Sequence, residues 1–151
     1  MTVTDSAAQQ RLIDALVTMS FTTMAVLNRI SADHDLSLTQ FRVLAILRDR
    51  RVKMSELADY LGLDKSTISG LVDRAEKRGL LRRAANPADG RAVDVFLSPA
   101  GSELAEYGAA LVAQSLAPML SGSSTADARR LTTLLERILA SAPSLPDSDA
   151  Q

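Results

Sequence analysis

The sequence predicts a mainly α-helical protein with one small β-hairpin, in the order α-α-α-α-β-β-α-α. Apolar residues recur at helical spacing through most of the 151 residues, and they alternate as in a strand only around residues 80–97. With 46% apolar and 23% charged residues, the chain has the composition of a globular protein, and its length allows a core without disulfide bonds. These observations exclude a mainly disordered chain.

The first predicted helix is long and apolar around much of its circumference. Ser6 and Gln9 have the spacing of a capping box, and the helical pattern then continues to about residue 31. So wide an apolar surface has to be covered on two sides, which indicates a partner subunit as well as the protein's own core. Ser37 and Gln40 form a second box, and the helix that they start ends near the basic run Arg48–Lys53.

A short helix and a longer one follow, separated by a turn. The short helix begins at Met54 and is closed by Gly62. Asp64 is a good N-cap for the next helix, and Gly79 has the position of a C′ glycine. The apolar residues of this second helix form one buried stripe, and the rest of its surface is polar. The stripe consists of Ile68, Leu71, Val72 and Ala75.

The predicted hairpin and the last two helices complete the order. LLRRA and the alternating residues 93–97 flank the turn-rich ANPADG and predict two strands. Ser98 caps a fifth helix, whose last turn Pro118 should kink or fray. Ser124 or Thr125 caps a sixth helix. The tail, residues 142–151, is predicted to be disordered.

A short helix, a turn, a capped second helix and a hairpin together predict a winged helix-turn-helix. We therefore expect a DNA-binding domain over residues 37–98 and dimerisation helices over 6–34 and 99–141. Residues 41–91 hold 12 lysines and arginines against seven aspartates and glutamates, although the whole chain has a net charge of −1. This basic segment is typical of a polyanion-binding module, but charge alone fits a solvated face equally well.

The second helix of this unit is predicted to enter the major groove, which is about 12 Å wide. Short hydroxyls in its N-terminal half can donate to phosphates or accept from bases, and free amides there favour phosphate. Simple solvation of these hydroxyls is the alternative. The candidate contacts are Lys65, Ser66, Thr67, Ser69, Gly70, Arg74 and Lys77.

Gly70 needs its own explanation, because glycine inside a helix costs about 1 kcal/mol relative to alanine. It lies off the apolar stripe. Its missing side chain therefore allows either a close approach to DNA or tight contact with the preceding helix.

The hairpin tip carries Asp89 and Arg91, two residues apart. An arginine on a projecting wing can enter a narrow minor groove, where negative potential is focused. We expect Asp89 to restrain Arg91 by ion pairing, and an ordinary exposed turn pair is the alternative. Arg82 and Arg83 add positive charge at the base of the hairpin.

Three stretches of the sequence resemble the MarR family of bacterial transcription regulators: LTQFRVLAIL, SELADYLGLDKSTISGLVDRAEKRGLLRR and NPADGRAVDVFLSPAG. The resemblance runs from about residue 10 to 140. It implies a homodimer formed by the N- and C-terminal helices and a pseudo-palindromic operator in double-stranded DNA. It also implies that Arg91 enters the minor groove and that the helix from Lys65 lies in the major groove.

The resemblance further implies a repressor that is released by a small aromatic or apolar acid bound between the dimer helices and the DNA-binding lobe. Side chains that could line such a pocket are Met19, Phe21, Met24, His34 and Tyr107. Methionines and aromatics at helical spacing are more often plain core, which is the alternative. The sequence names neither the effector nor the operator, and activation in place of repression stays open.

Several functions are excluded or disfavoured. The chain has no cysteine, so thiol-based sensing is excluded, and its one histidine, His34, with two neighbouring aspartates makes a poor metal set. No glycine-rich phosphate loop or acid–base pair indicates an enzyme, and we expect no cofactor. No apolar run long enough to span a membrane and no export signal is found, so we expect a soluble, cytoplasmic, nucleoid-associated protein. The rival hypothesis is a winged helix that binds another protein and never contacts DNA.

Overall fold

In the computed structural model, residues 3–141 are described, with side chains from residue 6 onward. This part of the chain forms six helices and three short strands. They are α1 (Val3–Asp33), α2 (Leu38–Leu47), β1 (Val52–Lys53), α3 (Met54–Leu61), α4 (Lys65–Lys77), β2 (Leu81–Ala85), β3 (Val93–Leu97), α5 (Pro99–Leu120) and α6 (Thr125–Ser141). The predicted fold class, mainly α with a small wing, is confirmed. The predicted disordered tail, residues 142–151, lies outside the described residues.

The strands form one antiparallel sheet in the order β1-β3-β2. Val52 of β1 pairs with Val95 of β3, and Leu81 of β2 pairs with Leu97. The prediction of a two-stranded hairpin was therefore incomplete. A strand of two residues is too short to show an alternating pattern, so the sequence gives no sign of β1.

Short-range capping sets most of the helix ends. The Ser37 hydroxyl accepts from the Gln40 amide at 3.1 Å, and the Gln40 side chain accepts from the Ser37 amide at 2.9 Å, as predicted. Gly62 ends α3 in the left-handed conformation, with φ 63°. Of the two candidate caps for α6, Ser124 is the one used, because its hydroxyl accepts from the amide of Asp127.

The predicted capping box of Ser6 with Gln9 is wrong. Helix α1 begins at Val3, so Ser6 lies inside the helix. Nothing between Val3 and Ser6 breaks a helix, and the residues at the spacing of a box do not end one by themselves. At the end of α5, Pro118 lies in the last turn and the helix ends at Leu120.

Helices α2, α3 and α4 and the sheet enclose the main core, and we call this unit the lobe. The predicted apolar stripe of α4 is buried, with Ile68 and Val72 at 0% exposure. The stripe packs with other fully buried side chains: Leu44, Leu47, Leu57, Leu81 and Val95. Burial of this stripe fixes the rotation of α4 and turns its polar face to solvent.

Helix α5 comes close to the lobe at two glycines. A Cβ atom on Gly101 would collide with the carbonyl of Leu80, and one on Gly108 would lie 2.6 Å from Cε2 of Phe41. Ser98, at the start of α5, donates its backbone amide to the Leu80 carbonyl at 3.0 Å. The contacts of Ser98 and Gly101 hold the start of α5 against Leu80, just before β2, and the contact of Gly108 brings the middle of α5 against α2.

Helices α1 and α6, which we call the scaffold, leave much of their apolar surface open. No described residue of α6 is buried. Phe21 on α1 is 73% exposed and Leu139 on α6 is 72% exposed. None of the described helices has both the length and the apolar character to cross a membrane.

Candidate nucleic-acid interface

Helix α4 presents all seven of its predicted contact residues outside the buried stripe. Lys65, Ser66, Thr67, Arg74 and Lys77 are exposed, and Ser69 and Gly70 are half-buried. The helix is 13 residues long and has basic residues in its last turn. Because its other face is fixed in the core, this polar face is presented as one rigid surface.

The N-terminus of α4 is closed by its own cap. Asp64 accepts from the amides of Ser66 and Thr67 at 2.9 Å each, and their hydroxyls donate to the same carboxylate at 2.6 Å each. These bonds, that of the Ser66 hydroxyl first, hold the pKa of Asp64 well below its usual range. The expectation of free amides for phosphate is therefore wrong at these two residues, because a carboxylate already occupies them.

The surroundings of Gly70 decide between its two explanations. A Cβ atom at Gly70 would meet only Nη1 of Arg74, at 3.4 Å, and no atom of α3 within 4 Å. The alternative of tight contact with the preceding helix is thus wrong. The open space in front of Gly70 is compatible with the close approach of a ligand.

The wing tip is organised by Asp89, but not by the predicted ion pair. Oδ1 of Asp89 accepts from the backbone amide of Arg91 at 3.1 Å, and Oδ2 lies 4.0 Å from Nζ of Lys53. The ion-pair partner of Asp89 is therefore Lys53 on β1, and the prediction that it is the Arg91 guanidinium is wrong. None of the ion pairs between described side chains includes Arg91.

A buried carboxylate at the base of the wing was missed by the sequence analysis. Asp94 on β3 is 4% exposed and accepts from Nε of Arg51 at 2.8 Å and from Nδ2 of Asn86 at 2.7 Å. The bond from Asn86, and after it Arg51, lowers the pKa of Asp94. The one signal in the sequence was an aspartate inside an alternating apolar strand.

The two arginines at the hairpin base have different surroundings. Arg82 is exposed. Arg83 is half-buried and donates to the carboxylates of Glu76, at 2.6 Å, and Asp73, both on α4. These bonds raise the pKa of Arg83. The Arg83 charge is therefore neutralised within the protein and ties β2 to α4, so the predicted addition of charge holds for Arg82 only.

An open groove of about 780 Å³ lies between the start of α3, the start of α4 and the wing. Four cations border it: Lys53, Lys65 and Arg91, which the sequence separates widely, and Arg83, which is paired with Asp73 and Glu76. Ser69 of α4, the wing residues Asp89 to Val93 and residues at the start of α3 and the end of β2 form the rest of its walls. The geometry thus joins the polar face of α4 and the wing tip into one basic surface.

The five predicted effector residues lie on α1, on α5 and in the turn after α1. Met19, Phe21 and Met24 are exposed along α1, at 46%, 73% and 42%. His34 and Tyr107 meet edge to face, with ring centroids 5.4 Å apart. A separate cavity of about 320 Å³ is lined by Leu27, Phe41, Leu44, Ala45, Arg48, Ala105, Ala109, Val112 and Ala113. None of the five predicted residues lines that cavity.

These features define a winged helix-turn-helix protein with a basic surface on its exposed helix and wing. A model of the MarR family matches residues 34–92. The multiple antibiotic resistance protein MarR of Escherichia coli is 32% identical over 116 residues, which cover 76% of this chain and 81% of that protein. YfiV of Bacillus subtilis, an uncharacterized HTH-type transcriptional regulator, is 37% identical over 65 residues, which cover 42% of this chain and 41% of that protein.

Solved structures agree with this assignment. Apo MarR from E. coli has a TM-score of 0.67 at 27% identity, covering 83% of this chain and 95% of that chain. BpsR of Bordetella bronchiseptica, whose DNA binding is regulated by 6-hydroxynicotinic acid, has a TM-score of 0.66 at 26% identity, covering 85% and 98%. The chain belongs to the MarR family. It is a helix-turn-helix transcriptional regulator and not an enzyme.

Proposed function

We propose that the protein is a homodimeric repressor that binds a pseudo-palindromic operator in double-stranded DNA and is released by a small aromatic or apolar acid. The observation that carries the proposal is the single basic surface formed by α4 and the wing. An exposed α-helix fits the major groove, and an arginine on the projecting wing fits the adjoining minor groove. In this proposal the protein is cytoplasmic and is associated with the bacterial nucleoid.

On this surface the residues divide by role. Ser66, Thr67 and Ser69 on α4 face the base edges, and Gly70 allows the backbone to approach closely. Arg91 enters the minor groove. The remaining cations neutralise phosphates and supply most of the sequence-independent affinity: Lys65, Arg74 and Lys77. Asp89 does not contact DNA in this proposal but holds the Arg91 backbone.

The dimer is supported by the open apolar surface of the scaffold. We assign residues 6–34 and 99–141, which include α5 beside the scaffold, to dimerisation and residues 37–98 to DNA binding. A twofold axis through the scaffold places two α4 helices one turn of DNA apart, about 34–36 Å. Dimerisation also doubles the number of phosphate contacts, which steepens the dependence of binding on salt.

The effector is best accommodated by the cavity between α1, α2 and α5. Its walls are apolar, and Arg48 supplies a guanidinium at its edge, with ion-pair partners in Asp49 at 3.5 Å and Glu106 at 4.0 Å. An aromatic ring suits the apolar walls, and a carboxylate suits Arg48. The effector lowers the affinity for DNA only if it binds more tightly to a dimer in which the spacing of the two α4 helices does not fit the operator. The relative BpsR, regulated by 6-hydroxynicotinic acid, supports this ligand class.

A mobility-shift experiment with genomic fragments tests the DNA-binding proposal. The wild-type protein should select a fragment and lose affinity steeply between about 50 and 200 mM salt. Arg91→Ala should weaken binding by about 1–3 kcal/mol, because it removes a minor-groove contact. Arg129→Ala on α6 removes the same charge outside the basic surface and serves as the matched control.

Failure to shift any genomic fragment at low salt would instead favour the rival, a winged helix that docks on a protein. Wild-type affinity in a folded Arg91→Ala dimer would refute the wing assignment alone. For the effector, 6-hydroxynicotinic acid and related small aromatic acids should release the fragment, and Arg48→Ala should make release need a higher concentration of acid. Release unaffected by Arg48→Ala would exclude the cavity as the effector site.

A further inference from the structure

We infer that Asp94 and Asn86 position the wing for DNA binding, by fixing the exposed turn that carries Arg91. Neither residue reaches the basic surface itself. They act through a chain of hydrogen bonds that runs from Arg51, before β1, to the tip of the wing. The inference rests on the proposed contact of Arg91 with DNA.

The chain begins at the buried carboxylate of Asp94. A buried charge is retained only when it is paired and hydrogen-bonded. Arg51 supplies the charge, with Nε at 2.8 Å, and Asn86 supplies a second donor at 2.7 Å. The Arg51 guanidinium is itself held over the ring of Phe96, 4.4 Å from the ring centroid. Asp94 is thus a fixed anchor point at the base of the wing.

Asn86 connects this anchor to the turn. Its Nδ2 donates to Asp94, and its Oδ1 accepts from the backbone amides of Ala88 and Asp89, both at 2.9 Å. The asparagine amide supplies both a donor and an acceptor from one short side chain, and both are used: Asp94 takes the donor and the two backbone amides take the acceptor. The Asn86 side chain therefore sets where the turn starts.

The remaining hydrogen bonds connect the start of the turn to Arg91. The Asp89 side chain accepts from the Arg91 amide, and the Ala92 amide donates to the Asp89 carbonyl at 2.9 Å. Residues 87–91 are all exposed. No apolar burial holds this tip, so polar contacts define its conformation. The Asn86 amide donates to the Ala92 carbonyl at 2.9 Å and closes the tip, and Lys53 pairs with Asp89. The side-chain bonds to Asn86 and Asp89 fix the residues within it. Their loss leaves Arg91 present but no longer fixed in place.

A double-mutant cycle tests the inference. Asn86→Ala breaks the connection but leaves Asp94 paired with Arg51, and Arg91→Ala removes the contact at its end. The probe is a duplex selected by the wild-type protein from a randomised library. We expect Asn86→Ala to weaken binding at least about threefold and to cause no further loss in the Arg91→Ala background. The slope of the logarithm of the binding constant against the logarithm of the salt concentration should become shallower by about one, as for Arg91→Ala.

Thr133→Ala, which removes an exposed polar side chain from the side of α6 opposite its apolar face, should bind as the wild type does. Asp94→Asn, which keeps the shape of the anchor and weakens its pairing with Arg51, gives a second cycle if Asn86→Ala does not fold. Two results would overturn the positioning role while the proposed function stands. One is that the losses of DNA affinity from Asn86→Ala and Arg91→Ala multiply in the double variant, and the other is that Asn86→Ala binds as the wild type does. Wild-type binding by Arg91→Ala would remove both the wing contact and this inference.

Discussion

The lobe and the scaffold use apolar residues in opposite ways. In the lobe, Leu57, Ile68 and Val95 are completely buried within one chain. In the scaffold, Leu139 is 72% exposed, and the apolar positions of α6 lie open along its length. The lobe thus obtains its hydrophobic stabilisation from itself, whereas the scaffold can obtain it only from another surface. The lobe is the part that we propose contacts DNA, and the scaffold is the part that we propose sets the spacing of two such units in a dimer.

The largest effect is expected from placing charge on the open apolar face of α6. We expect Leu135→Glu combined with Ile138→Glu to abolish the dimer, because two carboxylates would be buried in an apolar interface. Light scattering should then give the mass of one chain, while circular dichroism keeps its helical signal. Thr133→Glu puts a charge on the opposite side of α6 and should leave the dimer intact. A dimer that survives the double substitution would place the interface elsewhere.

The second prediction concerns the closed core of the lobe. Leu57→Ala should lower the free energy of unfolding by about 2–5 kcal/mol, because Leu57 is fully buried and its loss leaves a cavity. Chemical denaturation measures the change. Leu139→Ala on α6, made in the monomeric double variant, should cost far less. Equal losses at the two sites would show that the scaffold encloses a core within one chain.

A smaller effect is expected from two helical glycines that differ in their surroundings. Gly70→Ala should raise the free energy of unfolding by up to about 1 kcal/mol, because its Cβ would meet only the flexible end of Arg74, at 3.4 Å, and alanine favours the helix. The same variant should bind DNA more weakly. Gly108→Ala should instead lower the melting temperature, because its Cβ would press on Phe41. Unchanged DNA binding by Gly70→Ala would exclude the close approach at this residue.

The smallest effect is the acid dependence of the cap of α4. The pKa of Asp64 is lowered in the folded protein, so its contribution to stability is present above the unfolded value of about 3.9 and is lost as the pH falls further. Asp64→Asn keeps a capping oxygen but removes the titration. Urea midpoints between neutral and acid pH should therefore fall less steeply in this variant. Asp59→Asn, on the exposed side of α3, should keep the steepness of the wild type.

The features that the sequence predicted are those set by neighbouring residues. Asp64, Gly79 and the four-residue stripe define α4 locally, and the structure confirms that helix. The features that were missed depend on distant residues. Arg51 and Asp94 lie 43 positions apart, and the cavity at Arg48 combines three helices. Periodicity and capping patterns carry no information about such contacts. Strand β1 was missed for the different reason that two residues show no pattern.

The cap of α4 also limits which chemical groups this helix can recognise. While Asp64 holds the hydroxyl hydrogens of Ser66 and Thr67, those oxygens face solvent as acceptors alone. In the major groove the exocyclic amino groups of adenine and cytosine are the hydrogen-bond donors, and guanine and thymine offer only acceptors there. If the first turn of α4 contacts bases as proposed, Ser66 and Thr67 can therefore accept a hydrogen bond only from the amino group of adenine or cytosine, and the carboxylate that caps the helix determines on which strand that base must lie.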